Sequence, residues 1–175
     1  TLNLPLHGKE DPTVQGQFGF AKAAVQWAPG LPRVTQAQGG VQFGPRGVTA
    51  QVTSAQALGG PVSIDVNVDA QGDWTAKLSG EATADGLRQR PELAVARGVL
   101  RSVQGRTPYR LLLSQRGDAD LDWTVESSLQ GLAIQAPQPL NKPADAAWAL
   151  RLNHQAARQQ TTLSLAPAGG PQINA

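Results

Sequence analysis

The chain has no cysteine and no methionine, and only 5% of its 175 residues are aromatic and 16% charged. Without cysteine there is no disulfide, no thiol nucleophile and no thiolate metal ligand, and neither a reducing nor an oxidising compartment is indicated. Charge of one sign is also scarce: Lys and Arg outnumber Asp and Glu by only 15 to 13. A chain without a dense cationic stripe or a groove-reading helix is not expected to bind nucleic acid. No apolar run approaches the ~18 residues of a membrane-crossing helix, and residues 1–5 lack the basic and apolar regions of a signal peptide. Any membrane anchor is therefore expected outside this chain, which reads as one section of a longer polypeptide.

What is abundant is turn chemistry, with 19 glycines and 13 prolines, a composition that favours short strands over long charged helices. Between the turns the sequence runs at period two, the spacing that puts alternate side chains on one face of a strand. The run Val62-Ser63-Ile64-Asp65-Val66-Asn67-Val68-Asp69 is the clearest. Val48, Ala50 and Val52 repeat the pattern, as do Trp74, Ala76 and Leu78, then Leu121, Trp123 and Val125, then Trp148, Leu150 and Leu152. Gly44-Pro45-Arg46-Gly47, Gly59-Gly60-Pro61, Gln71-Gly72-Asp73 and Arg116-Gly117-Asp118 separate the runs, as expected of a long antiparallel meander. Between 89 and 103 the spacing changes: Leu93, Ala96, Val99, Leu100 and Val103 recur at three and four residues, with Pro91 to open a first turn and Gly105 to close the end. A short helix is expected there.

Catalytic chemistry finds little purchase. Only His7 and His154 could serve as a base, and neither sits in a nucleophile or zinc motif. Asp118, Asp120 and Asp122 alternate and could approach a hard cation, but no EF-hand glycine or closing glutamate follows, so a solvated strand face is the better reading. Gly39-Gly40 and Gly59-Gly60-Pro61 lack the Lys-Ser/Thr and helix of a phosphate loop. Neither an enzyme nor a metal nor a cofactor is expected. What remains is apolar surface on strands. One curved sheet with a short helix cannot cover about ten strands, so the exposed remainder of its apolar face would have to meet acyl chains or another greasy ligand.

One stretch is more specific. Ser128-Leu129-Gln130-Gly131-Leu132 runs into the irregular turn Pro137-Gln138-Pro139-Leu140-Asn141-Lys142-Pro143, with a strand following at once. This resembles the YhdP branch of the AsmA-like envelope proteins. Leu4-Pro5-Leu6, the strand from Val14 to Phe20, Trp27 with Leu31-Pro32, Gly39-Gly40-Val41-Gln42-Phe43 and Ala57-Leu58-Gly59-Gly60-Pro61 are similar to the same family in the same order. So is Gly105-Arg106-Thr107-Pro108-Tyr109, where the family often has tryptophan in place of Tyr109.

The resemblance implies a large protein anchored in the inner membrane of a Gram-negative bacterium and extended through the periplasm. Its repeated strands would form a β-groove that carries phospholipid between the two membranes. The expectation is thus a mainly β chain, 1–175 without an internal boundary: a long, curved and twisted antiparallel meander forming an open groove, with one short helix around 89–103. Its partners would be phospholipid acyl chains and adjacent sections of the same polypeptide. The positions expected to line the groove are Val48, Val52, Val62, Ile64, Val66, Val68, Trp74, Leu78, Leu111, Leu113, Trp123, Val125, Leu132, Ile134, Trp148 and Leu150. Two readings stand beside it. The chain could be a structural or interaction scaffold of the envelope whose apolar face is filled by protein. It could also be a carbohydrate-binding module using Trp27, Trp74, Trp123 and Trp148, although three of these share the apolar phase of their strands.

Overall fold

Where the sequence alternates, the chain is strand. In a computed structural model, the described residues are 2–3, 13–26, 33–90, 93, 97–137, 141–167 and 173–174. The long strands are β3 (Gly16–Val25), β4 (Val34–Gly44), β5 (Gly47–Ala57), β6 (Gly60–Asp69), β7 (Trp74–Thr83), β8 (Val103–Gln115), β9 (Asp122–Ser127), β11 (Trp148–Gln155) and β12 (Gln160–Pro167). With the short strand β13 (Ile173–Asn174) they make an antiparallel meander in the order β13-β12-β11-β9-β8-β7-β6-β5-β4-β3. The sheet is open and is not closed into a barrel. The short β10 (Leu132–Ile134) pairs with β8 off this path, and β1 (Leu2–Asn3) pairs with β2 (Thr13–Val14) separately.

The turns explain the tight succession of strands. Leu58 and Gly59 have φ of 53° and 80° between the paired Ala57 and Gly60, the double positive φ that a two-residue hairpin with the strands' own twist requires. The turn thus falls one residue earlier than Gly59-Gly60-Pro61 suggests. Between β6 and β7, Asp69 Oδ1 accepts from the Gln71 and Asp73 amides at 2.9 and 3.0 Å, so an aspartate side chain organises that turn. Asp73 Oδ1 in turn accepts from the Gly117 amide at 2.8 Å and ties the neighbouring loop to it.

Bulges bend the sheet. Register shifts occur between β3 and β4, between β4 and β5, and on β5 between Val52 and Ala55. An added residue on one strand increases local twist and bend. At Gly39 the bent backbones come so close that a Cβ would lie 2.0 Å from the Gln51 carbonyl oxygen.

The helical segment begins before the expected 89–103, and among the described residues it comprises two pieces, α1 (Ala84–Arg88) and α2 (Arg97–Leu100). Thr83 caps α1, its hydroxyl accepting from the Gly86 amide at 3.0 Å. The period-two run Ala82-Thr83-Ala84 hides this cap, because threonine is equally at home in a strand. Gly105 does not end a helix; it lies in β8. Arg88 then joins the two pieces by donating to the Leu100 and Val103 carbonyls at 3.1 and 2.8 Å. Pro91, Ala96, His7, Trp27, Leu4-Pro5-Leu6, Leu31-Pro32 and Gln138-Pro139-Leu140 lie outside the described residues.

Two apolar clusters form among the described residues. The larger belongs to the sheet and centres on Val52, Val62, Ile64, Ala76, Leu78, Tyr109, Leu111 and Leu113. The smaller sits at one end, where Ala84, Val103 and Leu132 meet Leu87, Leu100, Leu129 and Ile134.

Candidate functional site

Strand register decides which side chains share a face, because partners across a ladder point the same way. One row crosses the sheet through Phe20, Gly39, Val52, Ile64, Leu78, Leu111, Val125, Leu152 and Leu163. The next runs through Phe18, Val41, Ala50, Val66, Ala76, Leu113 and Trp123 to His154. A third joins Phe43, Val48, Val68 and Trp74, and a fourth joins Val62, Gly80, Tyr109, Ser127, Leu150 and Leu165. The predicted lining residues on β5 to β9 and on β11 therefore all fall on one apolar face.

Leu132 and Ile134 do not. Their strand β10 hangs on the part of β8 beyond β9, and Leu132 packs with Val103 and Ala84 in the small end cluster. Trp148 is buried at the start of β11, outside both clusters.

Depth varies along the face. In its middle Ile64, Leu113 and Leu111 are 1%, 3% and 4% exposed. Around them Val48, Val66, Val68, Trp74, Trp123, Val125 and Leu150 are half-buried, and at the β3 edge Phe18 is 55% exposed. Among the described elements, the main contacts of the sheet strands are with ladder neighbours or with α1 at one end, and no second layer of strands packs on this face. The middle is closed by side chains of the bent sheet meeting one another; the flanks are not.

The opposite face is polar. Gln51, Asp65, Lys77, Leu112, Thr124, Asn153 and Thr162 form one of its rows, and Arg151 pairs with Glu126 at 3.5 Å on another. A broad open depression of about 1180 Å³ lies on this side, and its lining mixes Gln17, Gln42, Gln51 and Asn67 with Phe18, Val41 and Val66. Its amides and hydroxyls stay hydrated.

The aromatic and ionisable candidates have structural partners. Trp74 Nε1 donates to Gln115 Oε1 at 2.9 Å. Trp123 stacks on His154 with ring centroids 5.4 Å apart, and His154 Nδ1 lies 2.9 Å from Thr161 Oγ1. Trp74, Trp123 and Trp148 all belong to the apolar face, so they build no platform on the polar one. Asp122 Oδ1 accepts from the Ala156 amide at 2.8 Å. Among the described residues no three His, Asp or Glu side chains gather as a cation site, and no helix is long and apolar enough to cross a membrane.

The Ser-Leu-Gln-Gly-Leu stretch and the turn after it form a clamp at the helical end. Ser127 Oγ donates to the Pro108 carbonyl at 2.7 Å and accepts from the Leu129 amide at 3.0 Å. The Gly131 amide donates to the Ala144 carbonyl at 2.7 Å, and Ile134 and Lys142 exchange backbone hydrogen bonds of 2.8 and 3.0 Å. Lys142, buried to 1% exposure, donates from Nζ to the Leu132 and Pro143 carbonyls at 2.7 and 3.2 Å. Sequence reasoning gave this lysine no role of its own; the signal was its place in the Leu140-Asn141-Lys142-Pro143 turn that carries the family resemblance.

Comparison with known proteins gives one positive finding: the family model described as YhdP protein matches residues 1–175. No curated protein and no solved structure matches the chain.

Proposed function

The chain belongs to the YhdP family of envelope proteins, and from that premise we propose that it is a non-enzymatic periplasmic segment of a bridge-like protein, carrying phospholipid between inner and outer membranes along its apolar sheet face. The observation that supports this most is the continuity of the face: one row runs from Phe20 at one edge to Leu163 near the other, flanked by the row from Phe18 to Trp123 and by that from Val62 to Leu165, and among the described residues no second layer of strands lies over them. Hydrocarbon in contact with water costs about 0.8 kcal/mol per CH2. A continuous apolar track lowers that cost along a path without binding any lipid in a deep trap. Acyl chains would lie along the half-buried flank at Val66, Val68, Trp74, Trp123, Val125 and Leu150, while adjacent sections of the polypeptide continue the face past the open edges. The membrane anchor would lie outside this chain.

A specific observation favours a second reading. The closed middle at Ile64, Leu111 and Leu113 is what a scaffold with a protein-filled face also requires. The test is to purify the chain without detergent, extract it and measure co-purifying phospholipid by mass spectrometry, beside a Val68→Asp variant. The conduit reading expects phospholipid with the parent and a large loss from the variant at unchanged circular dichroism. A folded, monomeric parent that holds no phospholipid and takes none from vesicles moves the assignment to the scaffold.

A further inference from the structure

Tyr109 stands on the apolar face between Gly80 on β7 and Ser127 on β9. It is 9% exposed, and among the described residues its hydroxyl is the buried side-chain polar atom without a hydrogen-bond partner. Native interiors pair nearly all such groups, so an exception asks for a reason. The neighbours on its row supply none: Val62, Gly80, Leu150 and Leu165 carry no side-chain acceptor. The hydroxyl of Ser127 already holds Pro108 and Leu129, and it lies 3.2 Å from Thr107 Oγ1. Burial pushes the phenol up to about 12, so the group keeps its proton and remains a donor at every physiological pH.

A donor inside an apolar face suits a ligand that is hydrocarbon along most of its length and carries an acceptor at one level. We propose that Tyr109 donates its hydroxyl to an ester carbonyl of a diacyl phospholipid lying on this face, and so sets the level at which the acyl chains end and the headgroup begins. The rows of Leu111 and Leu113 continue the apolar surface on one side of Tyr109. On the other side the next residue of the face along β8 is Thr107, a buried hydroxyl 3.2 Å from that of Ser127. Polar groups thus follow hydrocarbon along the strand, the order found at the ester region of a phospholipid. This inference rests on the lipid reading above and adds to it one polar contact.

The test compares two probes of matched headgroup and chain length, a diester phosphatidylethanolamine and its diether analogue, which lacks both carbonyls. Uptake from vesicles is measured for the 175-residue chain and for Tyr109→Phe. One neutral hydrogen bond corresponds to a preference of about two- to tenfold. The parent is expected to prefer the diester by that factor. The variant should hold both lipids at the parent's diether level, with a melting temperature no lower than the parent's, since it has lost an unpartnered buried hydroxyl. Equal uptake of diester and diether by the parent overturns the contact and leaves the conduit reading standing. So does a Phe variant that keeps the preference. A parent that takes up neither lipid overturns both.

Discussion

Lys142 Nζ donates to the Leu132 carbonyl oxygen at 2.7 Å, so a buried cation from the proline-flanked turn holds the strand that begins just after Gly131. Burial draws its pKa below the usual lysine range, and nearby Asp145 partly opposes that. Replacing Lys142 with Met keeps most of the volume and leaves two carbonyls without this donor. Hydrogen bonds from charged groups contribute about 1.5–3 kcal/mol, and a loss of about that size in urea unfolding is expected. The folded chain releases this proton before the unfolded chain does. The lysine's contribution to stability therefore rises with pH toward the unfolded value of 10.5, and Lys142→Met should remove that rise. Identical slopes in parent and variant would mean the amine is solvated.

Gly131 has a φ of 91°, and a Cβ there would meet the Arg106 carbonyl oxygen at 2.3 Å. Gly131→Ala must both strain the backbone and push β8 away from the clamp, a cost of about 2 kcal/mol or more. The expected result is a lower urea midpoint with faster exchange of the Ile134 amide, which pairs with Lys142. An alanine variant of full stability would contradict the close approach of these two backbones.

Ile64 and Val68 alternate on the same strand and face, but Ile64 is 1% exposed and Val68 is half-buried. An unpaired carboxylate at Ile64 has no route to water, so Ile64→Asp should cost more than about 4 kcal/mol and unfold the chain. Val68→Asp can turn its charge outward and should leave a folded protein. If both variants fold equally well, the closed middle of the face is wrong. If both unfold, the flank is also core, and the scaffold reading gains.

The sequence carried the sides of this sheet better than its depth. Ile64, Leu78, Leu111 and Val125 could be assigned to one face because alternation has a fixed period and register preserves it. Their differing exposure could not, since it depends on bends at bulges such as that between Val52 and Ala55, which leave no pattern in composition. Leu132 and Ile134 alternate as well as any strand. They leave the main face because Gly105, with a φ of 98°, and the clamp set β10 apart. The helix cap at Thr83 is hidden in a strand-like run, and the Gly86 whose amide it accepts from packs closely on the Leu58 turn. The orphaned hydroxyl of Tyr109 depends on what surrounds it on the folded sheet, so no single-sequence pattern could have announced it.

Tyr109 is the one tyrosine of the chain, so its ionisation can be followed by absorbance without a second phenol to confuse the signal. The folded value of about 12 lies above the usual 10 because the phenolate has no water and no partner. Above pH 10 the unfolded chain loses this proton first. The group's contribution to stability is therefore complete below about pH 10 and is lost as pH climbs toward about 12. A shift of two units corresponds to roughly 2–3 kcal/mol across that window. The native chain should titrate with a midpoint near 12 and the urea-unfolded chain near 10, while Tyr109→Phe should show less alkaline destabilisation than the parent. Lys142 acts with the opposite sign below 10.5, and its Met variant separates the two effects. A native midpoint near 10 at intact circular dichroism would place the hydroxyl in water and remove the physical basis for its contact with a lipid ester.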